Sequence, residues 1–162
     1  MVRRNRRAYL NMQISPHFSL SELTFSDTAN RHGIDNKPND KQIANLKRLC
    51  QTLLEPIRDM VDKPIHINSA FRNEETNRLV GSKSTSQHVL GCAADIIVDG
   101  ITTDELLKAI IGSGLPYDQV IREYAKANGT GGWVHVSVPN EIGMKPRKQA
   151  LIIDFNGTRP YT

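Results

Sequence analysis

No run of about 18 apolar residues occurs in the 162-residue sequence, which excludes a spanning helix. Cysteine is scarce: Cys50 and Cys92 are the only two, 42 residues apart, which suggests reduced core residues and not a disulfide framework. The first residues, "MVRRNRRAYLNMQIS", have the basic start of a secretory signal but neither its apolar stretch nor its small-residue cleavage site. The expectation is a chain that is cytoplasmic when made and has no export route of its own. Aromatic residues make up only 6%, and no aromatic platform accompanies the "RRNRR" cluster at positions 3–7, so nucleic acid is not an expected partner.

What is present describes a globular protein. Hydrophobic residues are 38% and charged residues 23%, far from the disordered class. The length suits one domain able to bury a core without a metal or disulfide staple, so any metal here is expected to serve catalysis and not folding. The net charge is +4, and four of the 21 basic residues lie in "RRNRR". Residues 1–12 therefore read as a solvated, partly disordered basic tail, and residues 13–158 as one unit.

Ser19 with Glu22 three residues later suggests a capped entry helix. From Asn39 to Asp62, Ile43, Leu46, Leu49, Cys50, Leu53, Leu54, Ile57 and Met60 form the apolar stripe of a long amphipathic helix, which Pro56 should kink or end early. "KPIHINSAFR" and "AADIIVDG" have strand patterns, and Thr102 with Glu105 caps a helix running to about Gly112 or Gly114. "YDQVIREY" and "GWVHVSV" predict a hairpin joined by the longish, flexible "AKANGTGG", and "ALIIDF" a last strand. Helices first and antiparallel strands later give an α+β fold, with helices packed on a mostly antiparallel sheet.

A catalytic zinc site takes three side chains from among His, Asp, Glu and Cys and leaves a position for water. His88 and Asp95 stand seven residues apart, and His135 follows 40 residues after Asp95. One helix face cannot meet those spacings, so such a site would be built from a loop and two neighbouring strands. A hydrogen-bonded His–Asp pair, or two separate polar residues, is the alternative that spacing leaves open. His17, His32 and His66 have no acidic partner at suggestive spacing.

These residues also carry a resemblance. Ser86, His88, Gly91, Ala93 and Asp95 match the S-x-H-x-x-G-x-A-x-D signature of the zinc D-alanyl-D-alanine carboxypeptidase and endopeptidase family, the LAS metallopeptidases related to the hedgehog amino-terminal domain. "INSAFRNEETNRLVGSKSTSQH" upstream and "WVHVS" downstream resemble the family's flanking elements. "ISPHFSLSELTFSDTA" is similar to its phage-type branch, and the resemblance spans residues 14–138. Ala70 and Ser82 stand where the family usually has glycine.

The resemblance implies one Zn2+ held by His88, Asp95 and His135, with peptidoglycan stem peptides as substrate. It implies that Arg72 holds a substrate carboxylate or the developing oxyanion, and that Ser86 orients a ligand or contacts substrate. The family's general base usually lies three positions before the last ligand, and that position is Gly132. Glu123, on the strand before "WVHVS", is the expected replacement, placed opposite His135 on the face of Gln119, Ile121, Trp133 and Ser137; Asp118 is the second candidate. Cys92 is expected to pack and not to ligate. The missing acid at Gly132 also leaves open a non-catalytic, zinc-containing wall-binding or phage structural module of the same fold. The implied setting is a monomer acting at the bacterial wall without membrane insertion, phage- or prophage-encoded and released through a pore that another protein makes.

Overall fold

The protein is described here by a computed structural model covering residues 8–9 and 11–162; the basic cluster at 3–7 lies outside the described residues. The chain opens with two short antiparallel strands, β1 (Gln13–Ser15) and β2 (Phe18–Ser19). Ser19 Oγ accepts the Glu22 N–H and starts α1 (Leu20–Thr24), and Ser26 caps α2 (Asp27–Arg31) in the same way. Tyr9, within the stretch expected to be tail, donates its hydroxyl to Pro38 O at 3.1 Å.

Asn39 and Gln42 form a reciprocal capping box that starts α3 (Asp40–Leu49). The helix neither ends nor breaks ahead of Pro56. It widens into a π-helical turn over Cys50–Leu54 and continues as α4 (Glu55–Val61), which Asp62 closes in a left-handed conformation. The physical reason lies in the proline, which offers no N–H and whose ring crowds the carbonyl four residues back; a wider turn just upstream relieves that conflict without abandoning the helix. Leu46, Leu49, Cys50, Leu53, Leu54 and Ile57 of this run are fully buried, whereas Met60, at the end of the expected stripe, is exposed. Each such Leu or Ile contributes about 1.5–3 kcal/mol by leaving water. Both cysteines are free and buried, as the sequence suggests.

The main sheet comprises β3 (His66–Ser69), β4 (Ala93–Ile97), β5 (Gln119–Glu123), β6 (Trp133–Ser137), β7 (Gln149–Asp154) and β8 (Gly157–Pro160), in the order β3-β4-β6-β5-β7-β8. All neighbours are antiparallel except β5 and β7, which run parallel. The sheet is thus mostly antiparallel, as expected, while the one parallel pair and the closing strand β8 carry no signal in the sequence pattern. Two more helices, α5 (Glu74–Leu79) and α6 (Thr103–Gly112), lie in the connections, α6 with the Thr102–Glu105 capping box expected for it. The result is an α+β fold.

Strand alternation divides the residues between two faces. Ile67, Ala94, Ile96, Val120, Val134 and Val136 join the buried leucines of α3 and α4 in one core. The residues between them, Asp95 on β4, Ile121 and Glu123 on β5, and Trp133 and His135 on β6, point the other way and line a groove. Among the described residues, no helix is long and apolar enough to cross a membrane.

Candidate metal centre

Asp95 and His135 are direct cross-strand partners of β4 and β6, so the pleat sends both side chains to the same face. His88 arrives from the loop ahead of β4. That loop is docked on α3: Gln42 Nε2 donates to Val89 O at 3.0 Å and Asn45 Nδ2 to Leu90 O at 2.9 Å. Gly91 permits the approach, since its φ is +76° and a β-carbon there would sit 2.6 Å from the Gln42 carbonyl oxygen.

The three side chains converge. His88 Nε2 lies 3.2 Å, and His135 Nδ1 3.1 Å, from the same oxygen, Asp95 Oδ1. The imidazoles meet edge to face with centroids 5.1 Å apart, and one ligand atom from each of the three residues lies within 4.8 Å of the others. His88 Nδ1 is 2.6 Å from the Ala70 carbonyl, which can only accept; Nδ1 therefore carries the proton and Nε2 offers a lone pair toward Asp95. Burial pushes the His88 pKa down, against the opposing pull of Asp95, and the neutral imidazole is the form that binds a metal. Burial alone would raise Asp95, but its contacts with His88 and His135 outweigh it and hold the carboxyl below the usual range. Two imidazole nitrogens and one carboxylate oxygen, all buried and mutually within reach, fit the donor set of an open zinc site.

Arg72 stands beside this group. Its Nη1 is 3.9 Å from Asp95 Oδ2, and it donates to Ser69 Oγ at 3.1 Å and to Asn77 Oδ1 at 3.2 Å. Ser86 bends the loop locally, its hydroxyl accepting the His88 N–H at 3.3 Å, and it also lines the groove. Cys92 is buried, with Arg48 Nη2 3.5 Å from its sulfur, outside the ligand group.

Glu123 occupies the expected face but not the expected register. Trp133, not His135, is its partner across the hairpin, and Ile121 faces His135. The carboxylate still reaches the centre diagonally: Oε1 is 3.9 Å from His135 Nδ1, and Oε2 accepts the indole N–H of Trp133 at 3.0 Å. Burial, and then the charge of Asp95, raise the Glu123 pKa; His135, Trp133 and Arg72 offset this only in part.

Asp118 does not join the centre. It is bound to Arg147, with Nη2 2.6 Å from Oδ2, and also accepts the Arg147 backbone N–H and Gln87 Nε2. Nor is "AKANGTGG" a free loop. Arg122 clamps it through the carbonyls of Ala125 and Lys126 while pairing with Asp104, and Thr103 Oγ donates to Gly131 O at 2.5 Å. The carbonyls of Ala125, Lys126, Gly129 and Gly131 each accept from Arg122 or from the start of α6, and these bonds tie the loop down.

Three contributors escape a reading of the sequence. The Ala70 carbonyl has no side-chain signature. Ser69 and Asn77 steady Arg72 from opposite sides, in contacts that only the fold creates. Trp133 was within reach, as the one tryptophan of the chain, two residues before His135 and so on its face.

The groove over this centre has a volume of about 1040 Å³, and its lining includes Ser86, Arg72, the His–Asp group, Tyr124 and Met144. Buried groups that could hold a metal, with a carboxylate and a guanidinium lining the same groove, suit hydrolysis of a bound amide. A family model described as Peptidase M15 matches residues 16–137. No curated protein matches the chain.

Proposed function

This chain belongs to the peptidase M15 family, and from that premise we propose that it cleaves peptidoglycan stem peptides, either trimming a terminal D-alanine or cutting an internal bond. Peptidases of this family depend on zinc. The observation that carries the reading is the meeting of His88 Nε2, Asp95 Oδ1 and His135 Nδ1 on the groove floor, with Glu123 Oε1 3.9 Å from His135.

His88, Asp95 and His135 would hold the ion. When bound, zinc supplies Lewis-acid polarisation of the scissile carbonyl and acidifies a water toward neutrality. Glu123 would take the proton of the attacking water through Oε1 and return it to the leaving amine, a role its raised pKa suits. Arg72, already fixed by Ser69 and Asn77, presents a guanidinium that can hold a substrate carboxylate or the developing oxyanion. Ser86 keeps the loop that carries His88 in shape.

A non-catalytic module of the same fold draws its support from Gly132, which stands where much of the family has its acid. Glu123 offers a carboxylate from the neighbouring strand, and that favours turnover. The action belongs at the bacterial wall, in a phage or prophage setting, with a basic protein of pI about 9.2 meeting an anionic polymer.

The test uses purified protein, metal analysis and purified peptidoglycan. About one zinc per chain is expected, with new amino groups if an internal bond is cut or free alanine if an end is trimmed. Zinc uptake without cleavage would leave the module, and indifference to metal would refute both readings.

A further inference from the structure

The role given to Glu123 raises the matter of what holds it. A glutamate on a strand has three side-chain torsions, and a proton-transfer group needs one oxygen presented to the reacting atoms and the other kept away. Trp133 Nε1 lies 3.0 Å from Glu123 Oε2, while Oε1 of the same carboxylate faces His135 Nδ1 at 3.9 Å. The indole has one N–H and no acceptor, so it can bind only one of the two oxygens and only by donating.

The indole is itself braced. Trp133 and Glu123 are direct partners in the β5–β6 ladder, which fixes the separation of their backbones. The Tyr124 ring packs on the indole with centroids 5.6 Å apart, and Phe155 on Tyr124 at 5.2 Å. Tyr124 adopts a left-handed conformation with φ 54°, unusual for a residue with a side chain, and its N–H is bonded to Ile153 O at 2.9 Å. That turn of the backbone directly after Glu123 gives the tyrosine ring its place beside Trp133. Strain of this kind persists where the surroundings over-determine it.

We propose that Trp133 is a positioning residue for the hydrolytic reaction: its indole N–H holds Oε2 of Glu123 and thereby aims Oε1 at the metal centre. The proposal rests on the peptidase reading given above. It assigns to Trp133 an effect on turnover and not on substrate affinity. Misplacing a reacting group by about 1 Å costs on the order of 100-fold, so Trp133→Phe, which keeps the ring and deletes the donor, should lower kcat by roughly 10- to 100-fold with KM within about twofold.

Two measurements test this together. Trp133 is the chain's one tryptophan, so its emission reports on Glu123 with no need for turnover. Glu123→Ala should shift or change the intensity of that emission in metal-free and zinc-loaded protein alike; an unchanged spectrum in both would overturn the contact whatever the activity. For the role, kcat and KM are measured for wild type, Trp133→Phe, Glu123→Gln and the double variant. A fall in kcat at constant KM and zinc content, absent when Glu123 is already Gln, is the expected result. Equal kcat in wild type and Trp133→Phe, or equal further losses in both backgrounds, would overturn the positioning role alone. An inactive wild-type protein would overturn the peptidase reading, and this role with it.

Discussion

A β-carbon on Gly132 would stand 2.1 Å from the carbonyl oxygen of Glu123. The position where much of the family carries its acid thus has room for no side chain, and its left-handed φ of +62° disfavours one even without the clash. Because the nearest atoms are backbone, relief requires moving β5 against β6. Gly132→Ala should therefore destabilise the protein by about 3–5 kcal/mol, read as a lowered midpoint in denaturant. A loss below about 1 kcal/mol would mean that the hairpin yields more easily than its geometry implies. An acid placed at 132 cannot take over from Glu123.

Glu123→Gln preserves shape and the capacity to accept from Trp133 but cannot carry the proton. Turnover on peptidoglycan should fall by about 100-fold or more, with zinc content unchanged. Near-normal turnover would remove Glu123 from proton transfer, and since Asp118 is occupied by Arg147, the base would have to be sought elsewhere on the groove.

Chelation should abolish hydrolysis without unfolding the chain. The buried leucines of α3 and α4 pack on one face of the sheet and the His–Asp group lies on the other, so the core does not need the ion. Far-UV circular dichroism should be retained, and the melting temperature should fall because the folded state loses about 2.7 kcal/mol of stabilisation where free metal stood at 100 times Kd. Loss of the circular dichroism signal on chelation would make the ion structural.

Asp118 predicts a pH dependence of stability. Burial opposes its charge, but the side-chain and backbone donors of Arg147, with Gln87, outweigh burial and hold the carboxyl below the ordinary range. A depressed folded-state pKa stabilises above the unfolded value near ~3.9, and that stability is lost as pH falls through the folded value. Arg147 is 55% exposed and screened by solvent, so Asp118→Asn should cost only about 1 kcal/mol at pH ~7. The gap between variant and wild type should narrow in urea unfolding as pH falls below about 3.9, and a gap that does not narrow would place the effect outside the carboxylate's charge.

The elements carried by local rules were legible in the sequence. Thr102 with Glu105, the Ile65/Ile67 alternation and the leucine stripe of the long helix depend on neighbours within a turn or on a period of two, and each appears where its pattern put it. That His88, Asp95 and His135 meet was also legible, through the resemblance carried by the Ser86, His88, Gly91, Ala93 and Asp95 frame and by "WVHVS". What failed involved distance or exact register. The parallel β5–β7 pair joins residues 30 apart through a connection with no pattern of its own. A hairpin's face can be read from alternation, but its register depends on the loop, and "AKANGTGG" set Glu123 against Trp133 instead of His135. At Pro56 the helix does not end early, and the π-helical turn that accommodates the proline has no sequence signature of its own.

The pairing of Asp95 with His135 makes the centre a gauge of its own folding. A slip of one residue between β4 and β6 would turn one strand's alternate side chains over, leaving the aspartate and the histidine on opposite sides of the sheet. No partial site survives that error, so a chain that has mispaired its central strands cannot capture the ion. Molecules loaded with metal at this centre would then be a correctly registered population, with hydrolysis withheld until the sheet has closed in the right frame.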